Sequence, residues 1–236
     1  MRPEWLILFD IDGTLLNSGG CGRAATRLAL DEVFGTAGVV ESLPFAGKTD
    51  WQITIEALAP AGIPRGEIEA RLDAYNAAVT RHLTALIESF PVHACPGTHA
   101  LLAALKARGD VLLGLVTGNM SGLIPVKLRR AGFDPADFRV CACGSDGWER
   151  AMLPPLALAR AEALAGASFT PERIVIVGDT PEDVACAQSI RARTLAVATG
   201  PFSVEQLRAC GPAHVFESLA DTGAVLHTLF RDGVAG

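Results

Sequence analysis

Two aspartates, Asp10 and Asp12, stand one residue apart and are followed directly by Gly13. A carboxylate can attack an electrophile, bind a metal ion or exchange a proton with a reacting group, so a close pair could carry a reaction in several steps. Gly13 allows the chain to turn after the pair. A strand that ends in an ordinary Asp-Gly turn, with no chemical role, can have the same residues. The pair alone therefore allows both a chemical and a structural interpretation.

An uninterrupted apolar run, residues 5–9, precedes this pair of aspartates. A hydrophobic run of this length predicts a buried parallel strand. Open α/β sheets bind their ligands at the carboxyl ends of their strands. The aspartate pair is therefore expected at the ligand-binding edge of a sheet.

Two later apolar runs are predicted to end in the same manner. Residues 111–116 run into Thr117-Gly118, and residues 173–177 run into Gly178-Asp179. Parallel strands place their carboxyl ends on one edge of the sheet, so we expect Thr117, Asp179 and the aspartate pair to converge there. This convergence favours the chemical interpretation of the pair.

Strand and helix patterns alternate regularly from residue 98 onward. Repeated βα units with short connections predict an α/β protein with a Rossmann-like core, in which a central parallel sheet is flanked by helices. The predicted strands are residues 5–9, 111–116, 138–142, 173–177 and 194–198. The predicted helices are residues 98–107, 123–131, 154–164 and one that ends near residue 190, with a last helix opened by the capping-box pair Ser203 and Gln206.

The region between the first strand and residue 93 has a different pattern and lacks a run typical of a buried strand. Its clearest feature is an apolar stripe with the three- and four-residue spacing of an amphipathic helix. The stripe consists of Ile68, Leu72, Tyr75, Val79, Leu83, Leu86 and Phe90. The pattern predicts an inserted α-helical cap of residues 17–92 and a core that comprises residues 1–16 and 93–236.

The composition argues against several classes of protein. Half of the residues are hydrophobic and 19% are charged, which excludes a disordered chain. The net charge is −6 and Lys and Arg do not cluster, so nucleic acid and anionic membranes are not expected partners. The apolar runs are too short to cross a bilayer, and the first strand begins too early to leave room for a signal peptide, so we expect a cytoplasmic protein. The scattered cysteines lack the partners of a zinc site and are interpreted as reduced thiols.

Three motifs, in this order and each at a predicted strand end, resemble those of the haloacid dehalogenase-like hydrolase superfamily. They are DIDGTLLNS at 10–18, VTGN at 116–119 and VGDTPEDV at 177–184. The resemblance covers essentially the whole chain. It is specific to the phosphatase branch with a helical cap, which includes proteins similar to phosphoglycolate phosphatase and β-phosphoglucomutase.

The resemblance implies a role for each acidic residue of these motifs. Asp10 would be the nucleophile that forms an aspartyl-phosphate. Asp12 would protonate the leaving alcohol and then deprotonate the hydrolytic water, and we expect neighbouring carboxylates to raise its pKa. A Mg²⁺ ion would be bound by Asp10, the backbone carbonyl of Asp12 and Asp179, with Asp183 in support. Residues 180–183 also form a good helix start, and the two roles of Asp183 are compatible.

Phosphate binding would fall to the motif after the second strand. Thr117 and the amide of Gly118, with Asn119, would contact phosphoryl oxygens, although a threonine is also common in a strand-end turn. In the cap, the turn of residues 47–50 is expected to face the substrate. Its Lys48 could contact a substrate anion or could be an ordinary solvated lysine.

The chain departs from the family at the cation that balances the phosphate, which is usually a lysine followed by proline. Arg150 occupies the corresponding position, and Lys127 on the helix after Thr117 is a second candidate. Arginine stays charged and binds phosphate with two donors, so it could replace lysine without being equivalent to it. Both candidates stay open, and either could be a surface charge.

Three functions follow from these residues. The first is Mg²⁺-dependent hydrolysis of a small phosphorylated metabolite. The second is a phosphomutase, which uses the same motifs and differs in its cap contacts, and the third is a non-catalytic protein that binds a phosphorylated ligand. Dehalogenation is disfavoured because Asp12 is typical of the phosphate-processing branch. The sequence identifies neither the substrate nor the oligomeric state.

Overall fold

A six-stranded sheet forms the centre of the computed structural model, which describes residues 2–231. The described residues contain eight strands, of which β2 and β3 form a separate pair. In chain order they are β1 (Trp5–Phe9), β2 (Leu16–Asn17), β3 (His93–Ala94), β4 (Val111–Val116), β5 (Val140–Ala142), β6 (Ile174–Gly178), β7 (Arg193–Val197) and β8 (His214–Phe216). The six-stranded sheet has the order β5-β4-β1-β6-β7-β8, and all of its neighbouring strands are parallel. The predicted α/β fold with a central parallel sheet is confirmed.

Helices cover both faces of this sheet. The α-helices of the described residues are α1 (Cys21–Phe34), α2 (Asp50–Leu58), α3 (Arg65–Ala70), α4 (Leu72–Leu86), α5 (Thr98–Lys106), α6 (Leu123–Arg130), α7 (Leu153–Ala165), α8 (Pro181–Ala187), α9 (Val204–Ala209) and α10 (Thr222–Arg231). In β1, Ile7 and Phe9 pack into one apolar cluster, whereas Leu6 and Leu8 pack into another. This burial on two sides explains why the run is apolar without alternation.

Several predicted boundaries differ from the structure. The strand predicted from residue 138 begins at Val140, because the Phe138 N–H donates to the Pro135 carbonyl (3.2 Å) and closes a helical turn. Strand β8 was not predicted, since its three residues are only half buried at the edge of the sheet. The capping box of Ser203 and Gln206 is present at the start of α9 as predicted.

Residues 21–89, called the helical segment below, contain α1 to α4 and no strand. The predicted apolar stripe is divided between α3, α4 and a final helical turn, and α4 buries one face through Tyr75, Ala78, Val79 and Leu83. The chain enters this segment after β2 and leaves it before β3, and these two short strands pair antiparallel.

The division into a core of residues 1–16 and 93–236 and a cap of residues 17–92 stays a proposal. Residue 1 and residues 232–236 of the predicted core lie outside the described part of the chain. Between residues 2 and 231, no helix combines the length and the hydrophobicity needed to span a bilayer.

We expect the buried face of β1 to govern stability. Leu8 is fully buried, so Leu8→Ala should lower the free energy of unfolding by about 2–5 kcal/mol through lost apolar burial and a cavity. The same substitution at Leu164, which is 46% exposed on α7, should cost less than about 0.5 kcal/mol. Urea denaturation measures both values, and equal losses would contradict the burial pattern.

Candidate active site

One cavity of about 500 Å³ lies where the strand ends meet the helical segment. Nine of the predicted site residues line this cavity. They are Asp10, Asp12, Lys48, Thr117, Gly118, Asn119, Lys127, Arg150 and Asp179. The remaining one, Asp183, is buried and reaches the group through Arg150.

A tight turn after β1 places the two aspartates in this cavity. The Asp10 N–H donates to the Val177 carbonyl (2.9 Å) and so extends the pairing of β1 with β6. Gly13 has a positive φ of 84°, and a Cβ there would lie 2.2 Å from an Asp179 carboxylate oxygen. Only glycine fits both the backbone conformation and this close approach. The turn expected at Gly13 is confirmed, and it packs directly against the end of β6.

Asp10, Asp179 and Asp183 form a buried acidic cluster. Each can offer an oxygen that lies within 4.8 Å of those of the other two. Arg150 bridges two of them, with its Nη2 3.1 Å from Asp10 Oδ1 and 2.5 Å from Asp183 Oδ1. The Thr14 hydroxyl donates to Asp179 (2.8 Å).

The charges in this cluster do not balance. Burial raises the pKa of Asp10 to about 6, although Arg150 opposes the shift, and nearby Asp183 adds to it. Burial and repulsion from Asp183 and Asp10 also raise the pKa of Asp179 well above its usual range. Three carboxylates facing one guanidinium leave excess negative charge, and carboxylate oxygens are the ligands that Mg²⁺ prefers. The residues therefore fit a divalent cation.

Asp12 belongs to a different group of side chains. Its Oδ2 accepts from Lys127 Nζ (2.6 Å) and from the Asn119 side-chain amide (2.8 Å), while its buried Oδ1 has no partner among the described residues. Burial favours the neutral acid, but Lys127 and the hydrogen bonds of Lys127, Ser18 and Asn119 outweigh it and lower the pKa of Asp12. The expectation of a raised pKa is wrong for this structure, because the nearest charge is a lysine.

Both candidate cations lie inside the site. Lys127 is 4% exposed and Arg150 is 6% exposed, so neither is a surface charge. Lys127 points from α6 to Asp12, whereas Arg150, just before α7, serves Asp10 and Asp183. The sequence presented them as alternatives, and the structure brings both to the cavity with different partners.

The remaining predicted residues lie around these groups. Thr117 Oγ1 accepts from the Asn119 amide (2.9 Å), and Asn119 Oδ1 accepts from Lys127 (2.5 Å). Lys48 is paired with Glu56 and lines the cavity, so it is not a freely solvated loop lysine. Asp183 forms a capping box with Thr180 at the start of α8, as its helix-start pattern predicted.

Among the residues of the site for which the sequence predicted no individual role are Thr14, Arg23 and Asp50. Thr14 lies within the first motif, and its hydroxyl donates to Asp179. Arg23 lines the cavity, stacks on Phe45 and donates to backbone carbonyls of the helical segment. Asp50 is buried in the cavity wall, and its Oδ2 accepts from the Met120 N–H (2.7 Å). Asp50 lies in the turn of residues 47–50 that was expected to face the substrate, but no residue pattern assigned a role to Asp50 or to Arg23, because their partners are distant in sequence.

A parallel sheet with carboxylates at its strand ends, facing the helical segment across one cavity, defines the class of α/β proteins that bind a ligand at the carboxyl edge of the sheet. The chain belongs to the haloacid dehalogenase-like hydrolase family, whose model matches residues 7–197. This confirms the resemblance seen in the motifs.

Similar proteins span nearly the whole chain. Pyrophosphatase PpaX from Anoxybacillus flavithermus is 25% identical over 226 residues, which cover 95% of this chain and 98% of that protein. The crystal structure of CbbY from Rhodobacter sphaeroides in complex with phosphate has a TM-score of 0.64 at 20% identity, covering 94% of this chain and 97% of that one. A candidate β-phosphoglucomutase from Thermotoga maritima has a TM-score of 0.60 at 19% identity, with coverages of 94% and 98%. The two structures show that the fold is shared.

The buried carboxylate of Asp50 should make stability depend on pH. Burial raises its pKa to about 6, although Lys127 and the Met120 amide oppose the shift. The unfolded chain has a lower pKa, so the folded protein loses stability as pH rises toward and through this value. Relative to the unmodified protein, Asp50→Asn should gain about 1 kcal/mol of unfolding free energy between pH 5 and pH 7.5. Urea denaturation at both pH values tests this, and an unchanged difference would contradict it.

Proposed function

We propose that this protein is a Mg²⁺-dependent phosphatase that hydrolyses a small phosphate monoester through a covalent phosphate on Asp10. One observation carries the proposal. The two carboxylates that follow β1 share a cavity but have separate partners, since Asp10 faces Arg150 and the acidic cluster while Asp12 faces Lys127 and Asn119. Covalent hydrolysis needs two such carboxylates in different states, one as nucleophile and one as acid and base.

In the first step a carboxylate oxygen of Asp10 forms a bond to phosphorus as the bond to the leaving alcohol breaks. Arg150 holds the Asp10 carboxylate and stays charged throughout. Asp10, the Asp12 backbone carbonyl and Asp179, with Asp183 in support, would hold a Mg²⁺ ion, which would neutralise the phosphate and align it for attack. These four residues are the proposed metal set.

Asp12 would act as the general acid in the first step and as the general base in the second. Its unpartnered Oδ1 is the atom proposed to donate a proton to the leaving alcohol. An incoming phosphate brings negative charge beside Asp12 and so favours its protonated form for this step. In the second step the ionised form, which Lys127 stabilises, takes a proton from the water that attacks phosphorus, and the bond between phosphorus and Asp10 breaks to free the carboxylate and inorganic phosphate.

Substrate contacts are proposed for four residues. Thr117, the amide of Gly118 and Asn119 lie at the end of β4, where they are suited to phosphoryl oxygens. Lys48, which the helical segment contributes to the cavity, is suited to the rest of an anionic substrate. The proposed substrate is a small phosphorylated metabolite, and the proposed location of the protein is the cytoplasm.

A second candidate activity is hydrolysis of inorganic pyrophosphate, which is favoured by the similarity to a pyrophosphatase over nearly the full length. A phosphomutase would use the same carboxylates and would return the phosphoryl group to its substrate. A protein that only binds a phosphorylated ligand would need neither a nucleophile nor an acid, so the arrangement of Asp10 and Asp12 argues against it.

We expect phosphate release from a panel of small phosphate esters and pyrophosphate, dependent on Mg²⁺ and abolished by EDTA. Asp10→Asn removes the nucleophile and should lower kcat by more than about 10³-fold. Asp31→Asn, at an exposed position on α1, is the matched control and should leave kcat unchanged. If the unmodified protein released no phosphate from any compound, the phosphatase proposal would be wrong.

Arg150 and Lys127 should not substitute for one another. Arg150→Met leaves Asp10 and Asp183 without their cation and should lower kcat by about 100-fold, whereas Arg150→Lys should recover part of this loss. Steady-state kinetics with the preferred substrate measures both. Activity of Arg150→Met close to that of the unmodified protein would show that Lys127 alone supplies the necessary charge.

A further inference from the structure

Asp50 is a buried carboxylate whose position the helix it begins does not explain. It is the first residue of α2 and is 9% exposed. Thr49 already caps this helix, since its side chain accepts from the Gln52 N–H (3.0 Å). The helix dipole favours an acid in this first turn, but a buried carboxylate also needs a hydrogen-bond partner to offset its desolvation. Since Thr49 supplies the cap, the carboxylate of Asp50 can take such a partner outside the helix.

Two hydrogen bonds tie Asp50 to the loop after β4. Its backbone N–H donates to the Gly118 carbonyl (2.7 Å), and its Oδ2 accepts from the Met120 N–H (2.7 Å). The contact is close enough that a Cβ on Gly118 would lie 2.0 Å from the Lys48 carbonyl oxygen. Asp50 is thus hydrogen-bonded to the residue before Asn119 and to the residue after it.

Asn119 is the residue of this loop that reaches the acid–base carboxylate. Its side-chain amide donates to Asp12 Oδ2 (2.8 Å), and its Oδ1 accepts from Lys127 (2.5 Å). The Leu123 N–H donates to the Met120 carbonyl (3.0 Å), so the loop also leads directly into the helix that carries Lys127. Any shift of this backbone would move both partners of Asp12.

A direct contact between Asp50 and the substrate is the competing explanation, because Asp50 lines the cavity. The carboxylate is poorly suited to it, since an ionised aspartate repels an anionic phosphate ester at close range. Its Oδ2 is also already engaged by the Met120 amide.

We propose that Asp50 is a positioning residue for proton transfer. By fixing the backbone on both sides of Asn119, it holds Asn119 and Lys127 against Asp12 Oδ2, which leaves Asp12 Oδ1 directed to the leaving group. Proton donation by Asp12 then depends on α2 being seated against the core. This inference rests on the proposed phosphatase function.

The test compares two esters that differ in their need for an acid. An alkyl phosphate such as glycerol 3-phosphate needs a proton on its leaving alkoxide, whereas p-nitrophenyl phosphate releases a stable phenolate without one. Asp50→Ala should lower kcat/KM for the alkyl ester about tenfold more than for the aryl ester. Asp50→Asn keeps an oxygen acceptor for the Met120 amide and should restore most of this difference. Asp31→Ala, which removes an exposed carboxylate from α1, is the control and should change neither ester.

Hydrogen–deuterium exchange of the peptide covering residues 117–122 gives an independent readout. Exchange should be faster in Asp50→Ala and unchanged in Asp50→Asn. If Asp50→Ala does not fold, Asp50→Ser replaces it in both measurements, since its shorter hydroxyl cannot span the same gap.

The outcomes separate the two proposals. Equal losses for both esters, or no loss in the alanine or serine variant, would overturn the role of Asp50 while leaving the phosphatase proposal intact. No release by the unmodified protein from these two esters or from any other compound of the panel, with or without Mg²⁺, would overturn the phosphatase proposal and this inference with it.

Discussion

Negative charge concentrated at one edge of the sheet is the constraint on which the rest of the site depends. Asp10, Asp179 and Asp183 place oxygens within 4.8 Å of one another, and burial keeps water from screening their repulsion. Such a cluster destabilises the fold unless positive charge reaches it. Arg150 reaches this cluster, and a divalent metal fits the charge that remains.

The two protein cations serve different carboxylates. Arg150 spans Asp10 and Asp183 of the cluster with one rigid, permanently charged group, while Lys127 pairs with Asp12, outside the cluster, from another helix. The pKa values of Asp10 and Asp12, two acids from one short turn, shift in opposite directions. Burial raises the pKa of Asp10 against the effect of Arg150, whereas Lys127 and its hydrogen bond outweigh burial and lower the pKa of Asp12.

The frame of the protein could be predicted because it depends on consecutive residues. The apolar run before Asp10 and the glycine after Asp12 are local signals for a buried strand and a turn, and the structure contains both. Asp50 belongs to the turn that was expected to face the substrate, but its hydrogen bonds could not be predicted, because both partners lie on the distant loop after β4. Whether Lys127 or Arg150 reaches the cavity depends on how their helical turns pack, which residue spacing does not encode.

The pairing of β2 with β3 has a consequence for how such a protein can change over evolutionary time. Asn17 and His93 lie opposite each other, so the helical segment leaves and rejoins the core at neighbouring points. Because its two ends lie close together, the helical segment affects the sheet no more than a short loop would. The entropy cost of bringing the ends of a loop together changes only slightly with the length of the loop. Insertions of other lengths and architectures could be exchanged at this ribbon without altering the six strands. In this way the part of the proposed active site that the helical segment contributes could diversify while the acidic strand ends stay unchanged.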